Sequence, residues 1–119
     1  MFGTYIEDYM ERFRRSPNDQ GTAKAAINEL NVLIDRITRA KKIHREDLKY
    51  ECEFLEVVRC IKNQRLHFHE RAGLPLFNDA EQTGFFDVQG NLVCQTLNGE
   101  IYKLIDVAET SFNFLKKYT

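Results

Sequence analysis

The stretch REDLKYECEFLEVVRCIKNQRLHFHER, residues 45–71, carries the architecture. Its apolar residues recur at helical spacing, but on two sides. At about 100° per residue, Leu48, Cys52, Leu55 and Leu66 share one side, while Tyr50, Phe54, Val57, Ile61 and Phe68 fall nearly opposite. A helix with two apolar stripes is buried from two directions. The spacing therefore predicts one continuous rod, set in the middle of the fold or between two subunits. Gly73 followed by Pro75 ends it, because Gly accepts a left-handed cap and Pro cannot continue the helix. Tyr50, Phe54, Val57 and Ile61 are the candidates for core packing or self-association.

At 1.5 Å per residue such a rod is about 40 Å long, whereas a domain of this size has a radius of gyration of about 13–14 Å. The rod must protrude, bend or pair with a second copy. A homodimer is the expectation, and a monomer kinked near Asn63-Gln64 is the alternative.

Upstream, Ala23, Ala26, Ile27, Leu30, Leu33, Ile34, Ile37 and Ala40 step by three and four, which predicts a helix from about Thr22 to Ile43. His44-Arg45-Glu46-Asp47 reads as a tight turn, so the two helices fold back as a hairpin. Phe2, Ile6, Tyr9, Met10 and Phe13 mark a shorter first helix, broken by the run from Ser16 to Gly21.

Downstream of the linker from Leu74 to Thr83 the period changes to that of strands. Gly90-Asn91 and Asn98-Gly99 separate three β-prone runs, and both pairs suit two-residue hairpin loops. Such loops set Val88 opposite Val93, Asp87 opposite Cys94, Cys94 opposite Lys103 and Val93 opposite Leu104. Phe86, Val88, Val93, Leu97, Tyr102 and Leu104 then share the face toward the helices. Asp87, Cys94 and Lys103 form a row on the wetter face. Asp106-Val107-Ala108-Glu109 resembles a capping box opening a short last helix, with a strand over 111–115 as the alternative. The fold class is α+β: a long N-terminal helical hairpin of three helices (1–73), a three-stranded antiparallel β-meander (84–105) and a short C-terminal helix (106–117).

With 119 residues, 43% of them apolar and a formal charge of −1, the chain suits one domain over 1–119 and is too apolar for a disordered one. No run approaches the ~20 apolar residues that span a bilayer, and the N-terminus lacks the basic start and apolar middle of a signal peptide. No membrane partner is expected. Cys52, Cys60 and Cys94, odd in number and widely spaced, read as free thiols in a reducing compartment, which points to the cytoplasm.

Chemistry is harder to find. His67 and His69 would share a face in a strand, but in a helix they lie about 200° apart and cannot hold one ion. The zinc-protease pattern His-Glu-x-x-His lacks its second histidine, since Arg71, Ala72 and Gly73 follow His69-Glu70. Cys52 and Cys60 are about 12 Å apart along a helix, beyond disulfide reach. Cys94 beside Lys103 is the only thiol with a reason for a lowered pKa, and no base accompanies it. Phosphate-cradling glycine loops are absent, and Ser16 and Ser111, the only serines, sit in no nucleophile elbow. Glu51, Glu53 and Glu56 read as a solvated helix edge. No catalytic, cofactor-binding or metal residue is assigned, and no cofactor is expected.

Charge is the remaining signal. Arg36, Arg39, Lys41, Lys42 and Arg45 cluster without an acid among them at the hairpin tip, where they are candidates for contact with a partner or with nucleic acid. Cations also suit helix C-termini without any partner. The expectation is a non-catalytic protein-binding module, an inhibitor, immunity-type or regulatory protein acting on another protein. Its contact surface would be the sheet face around Asp87 and Lys103 or the basic tip. A nucleic-acid-binding regulator is the alternative, and a small enzyme or metal protein the third reading.

Overall fold

Ile6, Met10 and Phe13, at helical spacing, are all buried, and they fix the inner face of α1 (Gly3–Arg15). The computed structural model describes residues 3–62, 85–95 and 100–118. Asp19 caps the next helix, its carboxylate accepting the Thr22 N–H at 2.8 Å, which satisfies one of the orphan donors of a helix start. That helix, α2 (Gln20–Lys41), buries Ala23, Ala26, Ile27, Leu30, Leu33, Ile34 and Ile37 along the expected seam. It ends where Lys42 turns left-handed at φ 54°.

The continuous rod over 45–71 is not formed. The chain makes α3 (Arg45–Glu51), leaves the helix at Cys52, which is extended at φ −140° and ψ 98°, and restarts as α4 (Phe54–Lys62). The break is bonded on both sides: Cys52 N–H donates to Leu48 O at 3.0 Å, and Leu55 N–H donates to Cys52 O at 3.1 Å. Lys49 of α3 then pairs with Glu56 of α4 at 2.7 Å, clamping the corner. The physical reason is the pair of stripes themselves. Breaking the helix resets the angular phase, so Leu48, Cys52, Leu55, Val57 and Val58 all reach one core. A straight rod would have needed two cores. Among the described residues the helical part therefore has four helices rather than the three expected. The radius of gyration is 13.6 Å. The kink expected near Asn63-Gln64, the linker, and His67 and His69 lie outside the described residues.

The strands are β1 (Phe85–Phe86), β2 (Leu92–Gln95) and β3 (Ile101–Lys103), a small antiparallel sheet in the order β1-β2-β3. Both expected registers are corrected. Phe85 lies opposite Val93 and Phe86 opposite Leu92, because a five-residue turn from Asp87 to Asn91 replaces the two-residue loop. On the other side Val93 lies opposite Lys103, Cys94 opposite Tyr102 and Gln95 opposite Ile101. This is one residue away from the expected pairing, and a one-residue slip exchanges the two faces of a strand. Leu92, Val93 and Cys94 are all buried, so β2 is covered on both sides. The expected wet row of Asp87, Cys94 and Lys103 is not formed.

The last helix, α5 (Leu104–Lys116), follows β3 directly. The capping box is not made, since the N-cap is Lys103 and its side chain makes no cap bond. Glu109 instead grips Arg14 of α1 through two hydrogen bonds of 2.8 Å. Leu104, Val107, Ala108, Phe112 and Leu115 face inward, so 111–115 is helix rather than strand. Around α2 pack α1, α4 and α5, and α5 also lies on β2 and β3. The chain is thus mostly helical, with a small antiparallel sheet and a C-terminal helix.

Candidate functional site

Two exposed features stand at opposite ends of α2. The Leu92 N–H donates to Asn18 Oδ1 at 2.8 Å, which pins the start of β2 beside the α1–α2 loop. The α2–α3 elbow lies at the other end, about 33 Å away at 1.5 Å per residue.

At the first end the turn from Asp87 to Asn91 is braced from inside. Asp87 Oδ1 accepts the N–H groups of Gln89 and Asn91, each at 2.9 Å. Its backbone N–H donates to Asn91 O at 3.0 Å, and its carbonyl accepts the Gly90 N–H at 3.1 Å. Gly90 supplies the left-handed φ of 84° that closes the loop. The Asn91 N–H is the largest cause holding the Asp87 carboxyl below its ordinary range, so it stays ionised and accepting. Val88 is held at the tip with a relative exposure of 104%. Asp at the first turn position and Gly at the fourth is the sequence signal for this turn. It outweighs the Gly90-Asn91 pair on which the two-residue loop was read.

At the second end Arg36, Arg39, Lys41 and Lys42 are exposed. None of the four has an ion-pair partner among the described residues. Arg45, the fifth of the cluster, is drawn inward. It pairs with Asp35 at 2.6 Å and donates to Asn31 Oδ1 at 3.1 Å. Asn31 is itself buried and donates to Val58 O at 3.1 Å, tying α2 to α4. Sequence reading missed this residue, whose one sign was a polar side chain inside an otherwise apolar seam. The exposed face of α3 carries Glu46, Asp47 and Tyr50, with Glu53 just beyond it.

The four residues expected in core or self-association are scattered. Tyr50 is 93% exposed, Val57 is buried, and Phe54 packs edge-on against Tyr102 with ring centroids 5.0 Å apart. The Ile61 side chain lies outside the described residues. Glu51 and Glu53 are exposed, but Glu56 is largely covered in its pair with Lys49. Cys94 is not activated by Lys103. It is fully buried, and burial pushes its thiol up to about 12. Burial also raises the Cys52 thiol, and both are free cysteines. Tyr118 donates to Glu51 at 3.1 Å, joining the end of α5 to α3. Among the described residues no group of three or more His, Cys, Asp or Glu is arranged to hold a metal ion. Among them, too, no helix is long and apolar enough to cross a membrane. Comparison with models of known families, with curated proteins and with solved structures found no match.

Proposed function

We propose that this chain is a non-catalytic protein-binding module, an inhibitory, immunity-type or regulatory protein that acts on another protein through the turn from Asp87 to Asn91. The observation that carries the reading is Val88, an apolar side chain held wholly in solvent on a braced turn. Burying such a side chain in a partner's cleft is favourable by about 2 kcal/mol. A turn already fixed by its own hydrogen bonds loses little conformational freedom on binding. The buried free thiols suit a reducing, cytoplasmic setting.

The test is affinity capture from the native host with the wild-type chain and with Val88→Asp, followed by titration of the recovered protein. Because Val88 touches no core, the variant unfolds at the wild-type temperature and binds the partner at least about tenfold more weakly. Equal binding by both chains would sink the proposal.

A nucleic-acid-binding regulator is the second reading, favoured by the exposed Arg36, Arg39, Lys41 and Lys42. Two features weaken it. Arg45 is committed to Asp35, and the acids of α3 follow at once and would repel phosphates.

A further inference from the structure

The α2–α3 elbow sets two patches of opposite charge side by side. The end of α2 offers Arg36, Arg39, Lys41 and Lys42, all exposed. Glu46 and Asp47 lie four and three residues before Tyr50 on one exposed face of α3, and exposed Glu53 continues it. Within one chain no ion pair joins the two patches among the described residues, and Glu46 pairs instead with Lys49 of its own helix at 3.1 Å. Tyr50, 93% exposed, stands in the acidic patch as an aromatic with no cover. Tyrosine and arginine are the side chains enriched at the centres of interfaces.

We infer that this elbow is a self-complementary docking surface whose occupant is a second copy of this chain. A two-fold axis through the elbow brings the basic end of α2 onto the acidic face of the partner's α3. The same contact is made a second time in reverse, as a closed two-fold interface requires. Tyr50 then lies against the partner's Arg36 and Arg39, a cation–π arrangement. Charge complementarity selects this occupant over a nucleic acid, which would meet the acidic half of the surface as well as the basic half. The turn at Asp87 sits at the far end of α2, so the dimer leaves both copies of Val88 open. Self-association and the proposed partner contact therefore stand or fall separately.

The test is sedimentation equilibrium of the full chain over a concentration series at low and high salt. The expected result is a monomer–dimer equilibrium whose dissociation constant rises about tenfold or more from 50 to 300 mM salt. Arg36→Glu/Arg39→Glu/Lys41→Glu makes both patches acidic, and Asp47→Lys/Glu53→Lys makes both basic. Each variant alone is monomeric. Mixed together they form a one-to-one dimer, because both reciprocal contacts are complementary again. This rescue also shows that neither variant is merely misfolded. A wild-type chain that stays monomeric at low salt, a dimer indifferent to both variants, or a ladder of higher oligomers would each overturn the inference. So would a monomer that binds generic duplex DNA with steep salt dependence through these residues.

Discussion

Asn31 is a buried polar residue that bonds α2 to α4. It is 1% exposed, and its side-chain amide donates to Ile27 O at 2.9 Å and to Val58 O at 3.1 Å, while its oxygen accepts from Arg45. Removing it leaves Val58 O without that donor and Arg45 without one acceptor. Asn31→Ala should cost about 2–3 kcal/mol, measured by urea unfolding, since unsatisfied buried groups are dearer than the bond itself. Asn31→Leu should recover part of this by filling the space. Equal stability of all three chains would mean the network is decorative. Cys94 makes a different demand at the same scale. Its thiol rises from an ordinary 9.0 to about 12 in the fold, so the unfolded chain gives up this proton first. The group's contribution is therefore complete below pH 9 and is lost as pH climbs toward 12. Between those values wild-type stability should fall about 1.4 kcal/mol per pH unit more steeply than that of Cys94→Ala. Parallel slopes in alkaline urea titrations would contradict the burial argument.

At the scale of elements, legibility depended on how many demands one stretch made. The seam of α2 is a single stripe, and its start and end were readable within two residues. Residues 45–62 carry two stripes, and periodicity alone read them as a rod with two buried sides. Packing decides otherwise. Among the described residues one core is available, and breaking the helix at Cys52 puts Leu48 and Val57 into it together. No proline or glycine announces that break; it follows from tertiary burial and from the Lys49–Glu56 clamp. The sheet shows the same limit in another form. The strands were legible as β-prone runs, but register follows turn geometry, and an Asp87 carboxylate bonding two backbone N–H groups lengthened the first turn. That shift moved Val88 from an expected inward position to the tip of a loop. The candidate site was thus hidden by an error of register rather than of composition. Basic residues at the elbow were visible in sequence, whereas the withdrawal of Arg45 toward Asp35 needed coordinates.

For the whole molecule the question is what holds the first helix to the last. Arg14 and Glu109 are 95 residues apart in sequence and meet through two bonds of 2.8 Å, the geometry of a forked guanidinium–carboxylate pair. The pairing raises the already high Arg14 pKa, so the guanidinium remains charged at every pH the fold survives. Its value is limited by water, because the two side chains are 37% and 32% exposed, and exposed pairs contribute about 0.2–1 kcal/mol. The forked geometry places this one toward the upper end of that range. A double-mutant cycle with Arg14→Ala and Glu109→Ala should give a coupling of about 0.5–1 kcal/mol in 50 mM salt, shrinking in 1 M salt as screening shortens to about 3 Å. Arg14 also lies 3.6 Å from Glu11 on its own helix, so Glu109→Ala leaves the guanidinium a second carboxylate and should cost less than Arg14→Ala. The contact spans nearly the whole chain, and such long-range contacts form late. Its loss should therefore appear mainly as faster unfolding, with the refolding rate little changed. A refolding rate that fell in step with stability would place α1 and α5 together in the folding nucleus instead.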